Sequence, residues 1–153
     1  MDKIEPKEKM ILIVDDDPSI VQYFKIILEA EGFRTCSTTD GRGISEIVKR
    51  EKVDLILFDL MMPYVGGYEG IRQLQMHDEI RNIPIFIVTA KPVNESTRAL
   101  LKMEPNVADF FTKPITKPLF LQRVHQQLNT KSSDEKIVER YRKMFEDERG
   151  GKW

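Results

Sequence analysis

Cysteine is nearly absent from this chain of 153 residues, and this absence excludes several kinds of site. The single cysteine, Cys36, permits neither an intrachain disulfide nor a zinc site built from several cysteines. Glycine and proline number eight each, too few for a fibrous or disordered chain. The formal net charge is −1, so no bulk attraction to nucleic acid or to a membrane surface is expected. We interpret Cys36 as a small, buried or half-buried apolar residue.

Long apolar runs are also missing. The longest has about five residues, whereas a helix that crosses a bilayer needs roughly 20. The first residues are charged and no apolar run follows them directly, unlike a secretory signal. We therefore predict a cytoplasmic protein without membrane insertion. The hydrophobic share of 41% and the length together suit one globular domain with a sizeable core, and leave no room for a second folded output domain.

Three short apolar runs predict strands that are buried on both faces. They lie at 10–14, 55–58 and 85–88, and none alternates with polar residues, which is typical of a parallel sheet. Weaker strand candidates lie at 33–37 and 108–111. Apolar residues at helical spacing fill the intervals between the runs. The order, strand then helix five times, predicts an α/β fold with a doubly wound five-stranded parallel sheet and helices on both faces.

Polar residues and prolines mark several helix boundaries. Asp17 is expected to cap the first helix, with Pro18 in its first turn and Gly32 just beyond its end. Asn94 is expected to cap the fourth helix, and Pro118 to lie in the first turn of the fifth. These boundaries fix where loops connect the strands to the helices.

The last 23 residues, 131–153, form a separate segment. Ser132 and Glu135 are expected to form a capping box, and Gly150 with Gly151 to end the helix. Five apolar residues recur there at helical spacing and predict an amphipathic helix: Ile137, Val138, Tyr141, Met144 and Phe145. This stripe packs on its own domain, or binds a partner or a second copy of the chain, and we favour the interaction role.

Reactive side chains follow four of the five predicted strands. They are Asp15, Asp16 and Asp17 after the first, Asp59 after the third, Thr89 after the fourth and Lys113 after the fifth. Because ligands of open α/β sheets bind beyond the carboxyl ends of the strands, we expect these side chains at one edge. A hard cation such as Mg²⁺ relieves the repulsion between close carboxylates, and an amine and a hydroxyl suit phosphoryl oxygens. A carboxylate is also a nucleophile, so the pattern predicts a magnesium-dependent phosphoryl acceptor at Asp59.

Five motifs in this order resemble those of a known family. They are IVDDDP at 13–18, DLILFDLMMP at 54–63, GGYE at 66–69, VTA at 88–90 and FTKP at 111–114. Together they are similar to the receiver domain of two-component response regulators, of the stand-alone, chemotaxis-regulator-like type. The resemblance implies a flavodoxin-like sheet with strand order 2-1-3-4-5. It covers about residues 8–130, which we interpret as the receiver domain, with 131–153 as an amphipathic helical extension.

The resemblance also implies a metal site and an acceptor. Asp59 matches the phosphorylated aspartate, Asp16 the direct ligand of Mg²⁺, and Asp15 the acid that acts mainly through a metal-bound water. The backbone carbonyl of Met61 matches the third protein ligand. Met61 and Lys91 occupy the positions at which the family tunes the access of attacking water, so a bulky apolar Met61 predicts slow autodephosphorylation.

Further residues match the switch of the family. Thr89 matches the switch hydroxyl, and Lys113 the lysine that pairs with the acceptor carboxylate and then with the phosphoryl group. A cis bond is implied between Lys113 and Pro114. Phe110 falls at the aromatic switch position, where it lacks the hydroxyl of the commoner tyrosine.

The predicted function is a phosphoacceptor switch that catalyses only its own phosphoryl transfer and slow autodephosphorylation. A histidine kinase or a histidine phosphotransfer protein is the expected donor, and the face at about 94–130 is expected to bind a downstream protein or a second copy. No direct contact with nucleic acid is expected, because the segment after residue 130 is too short for a helix-turn-helix domain. His77 and His125 are expected on the surface, away from the site.

Three alternative interpretations of the sequence stay open. The first is a non-phosphorylated pseudo-receiver that acts as an interaction scaffold. The intact set of acids, together with Lys113, argues against it. The second is a receiver fragment of a longer response regulator. The third is an aspartyl-phosphate hydrolase of another α/β family, which would usually carry a second acid where this chain has Met61.

Overall fold

The structure is a computed structural model that describes residues 2–60, 67–90 and 94–148. The expectations for Met61, Lys91 and the glycine pair at 150–151 fall outside the described residues and stay predictions. Where the chain is described, no helix is both long and apolar enough to cross a bilayer.

Strands and helices alternate along the chain as the sequence pattern predicts. The strands are β1 (Met10–Val14), β2 (Arg34–Thr38), β3 (Leu55–Phe58), β4 (Ile85–Thr89) and β5 (Val107–Thr112). The helices are α1 (Pro18–Ala30), α2 (Ile44–Glu51), α3 (Gly67–Gln75), α4 (Glu95–Lys102), α5 (Lys117–Leu128) and α6 (Ser133–Glu148). All strand pairs are parallel and the order is β2-β1-β3-β4-β5. The predicted doubly wound, flavodoxin-like sheet with order 2-1-3-4-5 and an extra C-terminal helix is confirmed.

Both faces of the sheet are covered, which explains the unbroken apolar runs. In β1, Ile11 and Ile13 pack against α1 and α5, whereas Leu12 and Val14 pack against the layer of α2, α3 and α4. Every residue of β1, β3 and β4 is buried. Because alternate residues of a strand point to opposite faces, a strand covered on both sides must be apolar at every position.

Two of the predicted helix caps are formed by the expected side chains. Asp17 accepts a hydrogen bond from the backbone N–H of Ser19 at 2.9 Å, and Asn94 accepts one from that of Thr97 at 2.8 Å. Gly32 follows the end of α1 with φ +100°, a conformation that disfavours side chains larger than hydrogen. The cap at Asp17 starts α1 three residues after β1 ends, which leaves the two preceding acids in the loop at the sheet edge.

His125 is buried, contrary to the sequence expectation that it is an exposed surface residue. Only 6% of it is exposed, whereas His77 is half-exposed. The Nδ1 atom of His125 lies 2.8 Å from Thr130 Oγ1, and its Nε2 atom lies 2.8 Å from Glu31 Oε1. Both ring nitrogens therefore have hydrogen-bond partners, and this removes the penalty that burial of an imidazole would otherwise carry.

The same carboxylate of Glu31 joins α1, α5 and α6. Ser133, the first residue of α6, donates its hydroxyl to Glu31 Oε2 at 2.9 Å. Partial burial alone would raise the pKa of the Glu31 carboxyl, but the hydrogen bonds with His125 and Ser133 outweigh it and hold the pKa below its usual range. One bond of the predicted capping box is present, because Ser132 Oγ accepts from the N–H of Glu135 at 3.2 Å.

Replacement of Glu31 by alanine is expected to weaken this junction. The change removes the acceptor of His125 and Ser133, so we expect a loss of about 1–3 kcal/mol in the free energy of unfolding, measured by urea denaturation. Because a lowered carboxyl pKa stabilises only while the group is ionised, the difference from the wild type should shrink as the pH falls through the pKa of folded Glu31.

Glu79→Ala is the matched control, because Glu79 is mostly exposed and its ion pair with Lys49 has a distance of 3.9 Å. Its free energy of unfolding should change by no more than about 0.5 kcal/mol. Equal effects of the two substitutions would contradict a structural role for the Glu31 junction.

Candidate functional site

Three carboxylates meet at the carboxyl edge of the sheet. Asp15 and Asp16 follow β1 directly, and Asp59 follows the neighbouring strand β3. One carboxylate oxygen from each residue lies within 4.8 Å of those of the other two. Asp15 and Asp59 are buried, whereas Asp16 is exposed, so the cluster has one side in the protein and one in solvent. The structure thus brings together the three acids that the sequence pattern indicates.

Backbone hydrogen bonds hold two members of this cluster at the carboxyl edge of the sheet. The N–H of Asp15 donates to the carbonyl of Thr38 at 3.2 Å, and that of Asp59 to the carbonyl of Val14 at 2.9 Å. Both bonds continue the parallel ladder one residue past the strand ends. Asp15 and Asp59 are therefore held by the hydrogen-bond ladder of the sheet, and Asp16 lies one residue further into the loop.

Lys113 supplies the opposite charge. Its Nζ atom lies 2.7 Å from Asp15 Oδ2, and both side chains are largely buried. Its backbone N–H donates to the carbonyl of Thr89 at 2.7 Å, and the peptide bond to Pro114 is cis, as the resemblance implies. In this structure the ammonium contacts Asp15; its pairing with Asp59 stays a prediction.

The carboxylate donors fit a small, hard divalent cation. Three carboxylates and one ammonium leave a formal charge of −2 at the edge of the sheet, and oxygen atoms are the donors that Mg²⁺ prefers. Asp15 already uses Oδ2 for Lys113 and Oδ1 for the backbone N–H of Asp17 at 3.0 Å. Asp15 is therefore less available as a direct ligand than Asp16, in agreement with the roles that the resemblance implies.

Thr89 lies at the end of β4, between the strands that carry Asp59 and Lys113. Its side chain is fully buried, and its hydroxyl has no hydrogen-bond partner within the part of the chain that the structure describes. A buried hydroxyl without a partner costs about 1–3 kcal/mol. An acceptor oxygen that reaches this edge and binds the Thr89 hydroxyl would therefore lower the free energy of the protein.

Phe110 is half-buried against the core layer of α2, α3 and α4. The guanidinium carbon of Arg98, on α4, lies 4.9 Å from the centroid of the Phe110 ring, a cation–π geometry. Arg98 is a residue that the sequence pattern does not indicate, because nothing in its spacing connects it to a phenylalanine on β5. The contact connects the predicted aromatic switch residue, Phe110, to α4.

The family of the chain follows from comparison with known proteins. The family model of the response regulator receiver domain matches residues 11–125 of this sequence, and the chain belongs to this family. Receiver domains are signalling switches of two-component systems, in which they act with histidine kinases and downstream effectors.

Three relatives illustrate the likeness. A probable cyclic di-GMP phosphodiesterase of Vibrio cholerae is 33% identical over 128 residues, which are 84% of this chain and 28% of that protein. The polar-differentiation response regulator DivK of Brucella anthropi is 29% identical over 120 residues, 78% of this chain and 96% of DivK. The receiver domain of the sensor histidine kinase PA1611 of Pseudomonas aeruginosa, with a magnesium ion in its active site cleft, has a TM-score of 0.69 at 23% identity, covering 80% of this chain and 98% of that one.

The lengths of these relatives differ. The chain spans 28% of the length of the first relative, whereas it covers nearly the whole of DivK. The likeness to the PA1611 receiver domain, at its low sequence identity, concerns the fold.

Replacement of Thr89 by valine is expected to stabilise the protein. Valine has nearly the same shape and removes the buried hydroxyl, so the free energy of unfolding in urea should rise by about 1–3 kcal/mol. Thr38→Val is the matched control, because the Thr38 hydroxyl donates to the carbonyl of Asp40 at 3.0 Å and its loss should destabilise. If both variants lose stability to the same extent, the account of the Thr89 hydroxyl is wrong.

Proposed function

We propose that the chain is a phosphoacceptor switch that receives a phosphoryl group on Asp59 from a histidine kinase or a histidine phosphotransfer protein. The convergence of Asp15, Asp16 and Asp59 within 4.8 Å, with Lys113 against Asp15, carries this proposal. A pseudo-receiver that only binds partners gains nothing from three mutually repelling carboxylates and a buried ammonium. The same arrangement is what a phosphoryl group and a divalent cation require.

Asp15, Asp16 and Asp59 are the side chains that we propose hold Mg²⁺, together with the backbone carbonyl of Met61. The cation, when bound, neutralises charge that develops on the phosphoryl oxygens during transfer. The magnesium ion in the active site cleft of the PA1611 receiver domain supports this assignment by analogy of fold. The exposure of Asp16 gives the cation a route from solvent.

The residues of the chain perform the transfer by position and charge. A carboxylate oxygen of Asp59 attacks the phosphorus of the donor phosphohistidine in line. The new O–P bond forms as the P–N bond breaks, and the imidazole leaves with the electron pair of that bond. The ammonium of Lys113 donates to a phosphoryl oxygen, which offsets the negative charge that the acceptor gains.

The phosphoryl group then changes the population of two conformations. The Thr89 hydroxyl donates to a phosphoryl oxygen, and Phe110 turns further inward as Thr89 moves. This shift is limited to the difference in affinity of the phosphoryl group for the two states, to which the buried hydroxyl of Thr89 contributes. The changed face is that of α4, β5 and α5, where a downstream protein or a second copy binds.

We propose three further properties of the chain. The chain acts in the cytoplasm, without direct contact with nucleic acid. It is not an enzyme beyond its own phosphoryl transfer and slow autodephosphorylation. Residues 8–130 form the receiver domain, and 131–153 a separate helical extension.

The acceptor is tested by phosphorylation with a small donor. Acetyl phosphate with Mg²⁺ should add one phosphoryl group to the intact protein, measured by mass spectrometry, and Asp59→Asn should abolish the addition. Asp17→Asn is the control, because Asp17 lies at the same edge but its carboxylate caps α1, a role that asparagine also fills. No mass shift in the wild type, or an undiminished shift in Asp59→Asn, would contradict the proposal.

Slow autodephosphorylation is tested at Met61. Replacement by asparagine removes an apolar shield and provides a polar group for the attacking water, so the aspartyl phosphate should decay faster, as measured by loss of the phosphorylated mass over time. Met76→Asn, at a mostly exposed methionine just beyond α3, is the control and should leave the rate unchanged. A phosphoryl lifetime of only seconds in the wild type, with no change in Met61→Asn, would overturn the expectation.

A further inference from the structure

Helix α6 presents an apolar face to solvent. The five residues of the stripe are between 50% and 59% exposed, and none of the described residues of α6 is buried: Ile137, Val138, Tyr141, Met144 and Phe145. Five large apolar side chains on one face of a helix are more than scattered surface residues. The sequence pattern leaves open whether this stripe packs on its own domain.

The polar face of α6 is the face that contacts the domain. Glu135 forms an ion pair with Lys3, and Lys136 forms one with Glu5 at 3.2 Å. Glu139 contacts Lys131, which also pairs with Glu5, both at 3.6 Å. At about 100° per residue, positions 135, 136 and 139 lie on the side of the helix opposite position 141. The apolar stripe therefore points away from its own domain.

The segment before α6 is also fixed. Ile4 pairs with Thr130 as an isolated parallel bridge, and its carbonyl accepts from the N–H of Lys131 at 3.0 Å. Glu31 binds the first residue of α6, Ser133. Because the helix is already ordered and oriented, a partner does not have to supply the free energy of ordering it.

The stripe has the spacing of a short coiled-coil seam. Ile137, Tyr141 and Met144 follow the four-then-three spacing of d, a and d positions, and Val138 flanks the seam. Asp134 and Glu148 occupy the a positions at the two ends. A parallel pair in register would place each of these acids against its own copy, and this like-charge contact is unfavourable.

An antiparallel pair removes this conflict and adds complementary charges. With the two helices in opposite directions, Tyr141 of one copy lies opposite Met144 of the other, as an a position faces a d position. The flanking residues Arg140 and Asp147 then face each other, and the two-fold symmetry forms this pair twice. Neither Asp134 nor Glu148 then meets its own copy; Glu148 lies at the exposed end of the seam, opposite Ile137 of the second copy.

We propose that α6 is a self-association helix, which pairs in antiparallel orientation with α6 of a second copy of the chain. The helix has 16 residues and is therefore about 24 Å long. A seam of this length lies at the low end of interface sizes, below about 1,200 Å². Self-association should accordingly be reversible and depend on protein concentration.

Sedimentation equilibrium of the full chain over a range of concentrations tests the proposal. We expect a monomer–dimer equilibrium in which Tyr141→Glu and Met144→Glu each raise the dissociation constant by about tenfold or more, because a charge must be buried in the seam. Glu146→Lys is the control on the polar face and should leave the constant unchanged. A monomer at every concentration, or a dimer insensitive to Tyr141→Glu, would overturn the proposal.

A charge exchange tests the orientation. Arg140→Glu and Asp147→Arg should each weaken the dimer, and the double variant should restore most of the lost affinity. Failure of the double variant to recover would rule out the antiparallel seam. The measurements are repeated on Asp59→Asn without Mg²⁺, so that their outcome is independent of the proposed phosphorylation. Circular dichroism is used to check that each variant keeps its helix content.

Discussion

The repulsion among three carboxylates at the ends of β1 and β3 is the constraint on which the rest of the structure depends. Asp15, Asp16 and Asp59 approach within 4.8 Å, and the ammonium of Lys113 offsets only part of their charge. Such a cluster is tolerated only where a rigid frame enforces it, because free carboxylates would separate. The continued ladder bonds at Asp15 and Asp59 provide that frame.

The need for a rigid frame agrees with the complete burial of the central strands. β1, β3 and β4 are buried at every position, so they cannot shift their register without moving apolar residues on both faces. The polar groups at their carboxyl ends inherit this rigidity. Thr89 belongs to the same frame, and its buried hydroxyl, which has no hydrogen-bond partner among the described residues, is a cost that the fold bears. The acids and the hydroxyl are thus two unfavourable features that a single phosphoryl group with its cation would relieve.

The strands, the helix caps and the meeting of the three acids at one sheet edge were predictable from the sequence, whereas individual side-chain contacts between elements were not. Apolar runs predict buried strands, and a cap residue such as Asp17 predicts the start of a helix, because both depend on residues close by in the sequence. The burial of His125 depends on Glu31, 94 residues away, and the spacing of residues along α5 does not predict this contact. The contact of Lys113 with Asp15 and that of Arg98 with Phe110 likewise depend on side-chain geometry between elements.

The acidic cluster and α6 lie at opposite edges of the sheet, and α1 runs between them. Its cap at Asp17 borders the cluster, and Glu31 just after its end holds His125 and Ser133. The buried face of α1 packs tightly on the sheet, so the helix moves as one body or not at all. Two sites influence each other only if the element between them has two arrangements that both sites bias. A single well-packed α1 offers no second arrangement, whereas α5 belongs to the proposed changed face and carries His125 of the same junction. An effect of the phosphoryl group on α6 pairing would therefore pass through α5 rather than through α1.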